Sequence, residues 1–80
     1  MYVKDAVVQR IESLCKERGI AYNALAVSAG VTPSTVYSLL SETRRDVSLV
    51  TLKKLCDGFG ITLGEFFSTP EFDELEQEIR

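Results

Sequence analysis

The sequence contains no histidine, and its two cysteines, Cys15 and Cys56, stand far apart with no CxxC pair. A structural metal site draws on clustered Cys and His ligands, so none is expected. Each cysteine falls inside an apolar helical pattern, and in a reducing compartment both read as small buried hydrophobes, in preference to a disulfide or a redox switch. No apolar run approaches the roughly 20 residues that cross a bilayer, and the first residues lack the apolar stretch of a signal peptide. The expectation is a cytoplasmic protein without a membrane span. Catalysis also lacks its parts: there is no paired carboxylate in an apolar pattern, no nucleophile motif and no phosphate loop. Gly58-Phe-Gly60 with Gly64 has the wrong spacing for a dinucleotide fingerprint and follows a helical pattern where a strand is required. No enzyme, cofactor or metal is expected.

What is present fits one small folded domain. The 80 residues are 45% hydrophobic and 26% charged, the balance of an ordinary globular chain. A net charge of −3 argues at first against a polyanionic partner, but it hides an asymmetry. Residues 1–64 carry eight basic against six acidic side chains, whereas from Glu65 onward six acids face Arg80 alone. The body is mildly basic and the tail is acidic. Phosphate binding needs positive potential locally, not in total.

Helix signals run the length of the chain, with no convincing strand, repeat or linker. Val7, Val8, Ile11, Leu14 and Cys15 recur at helical spacing, with Lys16 and Arg18 in the last turn and Gly19 as the stop. A second helix is predicted from about Tyr22 to Ala29, ended by Gly30. Thr32-Pro33 is a cap followed by a first-turn proline, opening a third helix over Pro33 to Ser41 with Val36, Leu39 and Leu40 as its apolar stripe. Ser41 to Val47 reads as a polar loop. Ser48 caps a fourth helix carrying Leu52, Leu55, Cys56 and Phe59, which Gly58 and Gly60 end. Thr62 and Glu65 form a capping box ahead of Phe66 and Phe67. Thr69-Pro70 opens a last helix with Phe72, Leu75 and Ile79 on one side. The fold class is all-α: a compact five-helix body over residues 1–69, with a short acidic helix over 70–80.

The informative stretch is Tyr22 to Ser41. Two short helices joined by a tight Gly-containing turn make a helix-turn-helix. Ala26 is small where the helices cross closely, and Gly30 permits the left-handed turn. Leu25, Ala29, Val31, Val36 and Leu39 form the shared core, which leaves Pro33, Ser34, Tyr37, Ser38 and Ser41 facing outward.

This stretch, with Thr51 to Phe67 (TLKKLCDGFGITLGEFF) and the order of helices, resembles the helix-turn-helix domains of phage repressors, Cro and XRE-type regulators. The likeness covers about Val7 to Phe67. It implies that double-stranded DNA is the partner, that a homodimer binds it, and that a DNA-binding set comprises Tyr22, Thr32, Pro33, Ser34, Tyr37, Ser38, Arg44 and Arg45. In that division of labour Pro33, Ser34, Tyr37 and Ser38 stand at base-reading positions. Tyr22 holds the place of a polar residue that touches phosphate. Arg44 and Arg45 lie in a loop that contacts the backbone, and Lys53 is a lesser candidate. Cys15 and Leu40 occupy positions where the family often pairs Arg with Glu. Both have become apolar together, an exchange that can be neutral or stabilising. Without Arg, Gln or Asn on the third helix, direct base readout is modest and phosphate and shape carry more.

Other readings stand beside these. Tyr22 and Tyr37 could be edges of the core, and Arg44 and Arg45 solvated loop charges. The acidic tail could be a solvated face, a mask over the basic surface, a dimer contact or a protein-binding segment. In the last case the protein would act as an antitoxin or anti-repressor.

Overall fold

Each helix start in the sequence carries its own hydrogen-bonding chemistry, and the chain obeys most of them. A computed structural model describes residues 1–79, which contain five α-helices, one 3-10 turn and no strand. Helix α1 spans Val3–Arg18, and the Asp5 carboxylate accepts the Tyr2 N–H at 2.9 Å where it begins. Helices α2 (Tyr22–Ala29) and α3 (Pro33–Leu40) follow. Thr32 Oγ1 accepts the Thr35 N–H at 3.3 Å, and Pro33 occupies the first turn, as the cap-plus-proline signal predicts. Helix α4 (Leu49–Phe59) is capped by Ser48, whose hydroxyl accepts the Thr51 N–H at 3.3 Å. The capping box of α5 (Leu63–Phe66) is complete, with reciprocal bonds between Thr62 and Glu65 at 3.0 and 3.1 Å. Each bond satisfies a backbone donor that the helix itself leaves without a partner.

The apolar stripes converge on one core. Ile11, Leu25, Ala26, Val36, Leu55, Cys56 and Phe66 are fully sealed from solvent. Both cysteines are free thiols in this core, and burial pushes both thiols above their ordinary pKa. They behave as small hydrophobes.

Gly58 differs from its predicted role. It does not end α4; Gly60 does, with φ at 74°. Gly58 lies inside α4 where that helix presses on α2. A Cβ placed there would meet the Ala29 backbone nitrogen at 3.0 Å and its Cα and Cβ at 3.2 Å. The two helices therefore cross with almost no side chain between them. Gly58→Val is expected to destabilise the domain by about 1–3 kcal/mol through overpacking, read as a lowered denaturation midpoint in urea.

The C-terminal segment also differs. Only Pro70–Glu74 is helical, as a single 3-10 turn, and the chain is extended at Leu75. Phe72, Leu75 and Ile79 therefore share no helical face. Phe72 turns inward onto Phe66 and Phe67, at ring separations of 6.0 and 4.8 Å, while Ile79 is 87% exposed. Beyond the turn, the Glu76 N–H donates to the Met1 carbonyl at 3.1 Å and the Glu78 carboxylate accepts the Val3 N–H at 3.1 Å. An isolated helix of this length is marginal in water, and Glu74 with Glu78 would place like charges one turn apart. Arg80, the one base of the tail, lies outside the described residues.

A further arrangement centres on α1. Arg10 donates to the carbonyls of Phe66 at 2.8 Å and Glu65 at 2.9 Å, closing the end of α5. Arg18 donates to the Phe59 carbonyl, the last of α4; it serves that helix and not only the end of its own. Lys4, 3% exposed, donates through Nζ to the carbonyls of Ser41, at 2.9 Å, and Arg44. Three cations of one helix thus satisfy the orphan acceptors at the ends of α4 and α5 and just after α3, where positive charge is also favoured by the helix dipoles.

Asp5 links this arrangement to pH. The Tyr2 N–H, and then Arg45, hold its carboxyl below the ordinary carboxylate range. A depressed folded-state pKa adds stability above the unfolded value of about 3.9, and that stability is lost as pH falls through the folded value. Acid titration of the melting temperature is expected to show a loss below about pH 4 that Asp5→Asn reduces.

Candidate nucleic-acid interface

Helix α3 is eight residues long, and its inner side is fixed by Val36 and Leu39, both buried. Its other side must then face outward. Gly30, at φ 70°, sets the angle between α2 and α3. The turn is closed by Gly30 N–H to Val27 O at 3.2 Å and Val31 N–H to Ala26 O at 3.0 Å. Added side chains strain such a left-handed position by roughly 1–2 kcal/mol.

The residues expected to meet DNA fall into two groups. Thr32, Pro33, Ser34 and Tyr37 are exposed, Tyr37 at 53%, and Ser38 is half-buried. The Thr32 hydroxyl bonds those of Ser34 at 2.9 Å and Thr35 at 3.0 Å, so the start of α3 presents linked hydroxyls. Tyr22 is half-buried against the core and meets Tyr37 edge to face, with centroids 5.8 Å apart at 88°. The ring of Tyr22 is thus a core edge, as the second of its two expectations has it, and it also supports the ring of Tyr37. Burial, and then Glu12, raise the Tyr22 phenol above its ordinary pKa, so it stays a neutral donor. Ser41 is the cap after α3, half-buried, with its carbonyl engaged by Lys4.

The two loop arginines part company. Arg44 Nη1 donates to Ser38 Oγ at 3.1 Å, which lays its guanidinium along α3. Arg45 turns instead to α1, where Nη2 donates to Asp5 Oδ1 at 3.2 Å. Lys53 pairs with Asp57 one turn along α4. Between α3 and the loop runs an open groove of about 290 Å³, lined by Ser34, Ser38, Arg44, Asp46 and Ser48 among others. Among the described residues no group of three or more His, Cys, Asp or Glu could hold a metal ion, and no helix is long and apolar enough to cross a membrane.

Sequence reading missed Lys4. The signal was present, since Lys4 precedes Val7, Val8 and Ile11 by three, four and seven residues and so falls on the apolar stripe of α1. A lysine at such a position needs an acceptor, and the loop after α3 supplies two.

The Cro/C1-type HTH DNA-binding domain family matches residues 10–71, most of the chain and all of the helix-turn-helix. The chain belongs to this family. Two relatives set this Cro/C1-type domain in context. It is similar to the control protein C.MunI of Mycoplasma sp, with 51% identity over 37 residues, 46% of this chain. The matched segment spans only 50% of that protein's length. It is also similar to the crystal structure of the prophage Lp1 protein 11, with a TM-score of 0.81 and 25% identity over 94% of this chain and 100% of that one. The helical order and the close α2–α4 crossing are therefore set in a Cro/C1-type fold.

Proposed function

We propose that this protein is a transcriptional regulator that binds double-stranded DNA with α3 in the major groove. A homodimer would engage two half-sites about one helical turn, or 34 Å, apart. The observation that carries this reading is the outward face of α3 in a Cro/C1-type domain: exposed Pro33, Ser34 and Tyr37, with Ser38 tied to Arg44. Thr32 and Tyr22 support that face, and Arg45, exposed but paired with Asp5, would contact a phosphate by giving up that pairing. Ser34 and Ser38 hydroxyls accept several bases, so phosphate contacts and DNA shape contribute a large share.

The test is selection of bound duplexes from a random library, followed by the same selection after Ser34→Ala and Ser38→Ala. A selected inverted repeat whose inner positions relax in the variants supports the reading, and affinity should fall steeply with salt as counterions are released. Enrichment of no duplex at low salt would sink it. The contribution of the acidic tail is separable by truncation from Leu75 onward, because Phe72 packs with the core and has to stay. DNA affinity that rises on truncation indicates electrostatic masking, and loss of a dimer in sedimentation indicates a subunit contact.

A further inference from the structure

Helix α3 offers no side chain able to make a bidentate contact with a base, since its outward residues are Pro33, Ser34, Tyr37 and Ser38. The loop provides one from outside the helix. Arg44 is exposed, yet held at two points. Its carbonyl accepts from the buried Lys4 ammonium, and its Nη1 donates to Ser38 Oγ at 3.1 Å. The bond to Ser38 uses one of five N–H donors and leaves a free pair at the Nε–Nη2 edge. Arg45, one residue on, is drawn the other way by Asp5. Of the two adjacent arginines, only Arg44 lies beside the reading face.

We propose that Arg44 is a specificity-determining residue, a base-reading arginine whose guanidinium, oriented by Ser38, forks onto the O6 and N7 of a guanine in the major groove beside α3. This rests on the DNA-binding reading above. It assigns Arg44 a role different from a loop charge on the phosphate backbone: a phosphate contact carries no sequence information, whereas a fork held in place selects one base pair. Because the backbone of Arg44 is anchored to α1 and its side chain to α3, the fork is positioned before DNA arrives. Ser38 then acts as a positioning residue for Arg44, in addition to any contact of its own.

The experiment compares library selection and salt-dependent affinity for the wild-type protein, Arg44→Lys, Arg44→Ala and Ser38→Ala, with a thermal melt of each. Arg44 is exposed, so the melts should coincide. Arg44→Lys keeps the charge but loses the fork. It is expected to erase the preference for one G·C pair in each half-site, by about 5- to 150-fold, with the salt slope unchanged. Ser38→Ala is expected to weaken preference at that same pair without abolishing it. If Arg44→Lys leaves every base preference intact while Arg44→Ala weakens all sequences alike and reduces the salt slope by about one, Arg44 is a phosphate contact and the proposal falls. Loss confined to a position that distinguishes only A·T from G·C would mark a minor-groove contact and overturn it as well. Wild-type protein that enriches no duplex removes the DNA-binding reading itself, an outcome distinct from the other two.

Discussion

Phe66→Ala is expected to cost about 3–5 kcal/mol and to lower the melting temperature by about 12–40 °C for a domain of this size. Phe66 is fully buried. Its ring meets Phe67 at 5.0 Å and Phe72 at 6.0 Å, and the Arg10 guanidinium stands 5.9 Å from its centroid. Its own carbonyl is one of the two that Arg10 binds. One side chain therefore joins α1, α5 and the 3-10 turn, and small domains hold only about 5–15 kcal/mol in all. Scanning calorimetry is the measurement. A shift under about 5 °C, worth roughly 1 kcal/mol, would show that this corner can collapse around the missing ring.

Lys4→Met should have the second largest effect, and on two observables. The methionine keeps most of the apolar stem, so what is lost is the ammonium and its two bonds to Ser41 and Arg44. Stability is expected to fall by about 1.5–3 kcal/mol, the range for hydrogen bonds to a charged group. The loop that carries Arg44 and Arg45 is released as well. Ordering each rotamer-rich side chain on binding costs roughly 0.5–1.5 kcal/mol, so DNA affinity is expected to drop about fivefold or more. Affinity is to be measured at a temperature where the variant is fully folded. Unchanged affinity under that condition would mean that the loop finds its position on DNA without help from α1.

Much of the fold is legible in the sequence because helix ends are local chemistry. Thr32-Pro33, Ser48 and the Thr62–Glu65 pair each lie within four residues of the groups they satisfy, so reading along the chain finds them. Gly58 was not legible. In sequence it resembles a helix stop, and only the approach of Ala29, from another helix, explains it. The cations of α1 fail for the same reason: the carbonyls bound by Lys4, Arg10 and Arg18 lie 37 to 56 residues away. The tail departs from its apolar spacing because Phe72 packs with Phe66 and Phe67 while extended backbone lets Glu76 and Glu78 reach the start of α1. At the interface, the outward face of α3 follows from a short amphipathic helix with two inner residues. The separate directions of Arg44 and Arg45 do not follow, since adjacent loop residues have no periodicity to divide them. Asp5 and Ser38, brought near by folding, decide it.

Helix α1 has a consequence for how the molecule comes apart. Its long side chains cross to elements made later in the chain and seal their carbonyl ends, while its apolar stripe joins the shared core. Detaching it would open several helix termini and the core in a single event. An unravelling that begins at Met1 or in the segment after Glu74 reaches α1 directly and, through Lys4, the loop beside α3. DNA-binding competence should therefore vanish together with the native fold, in one cooperative step.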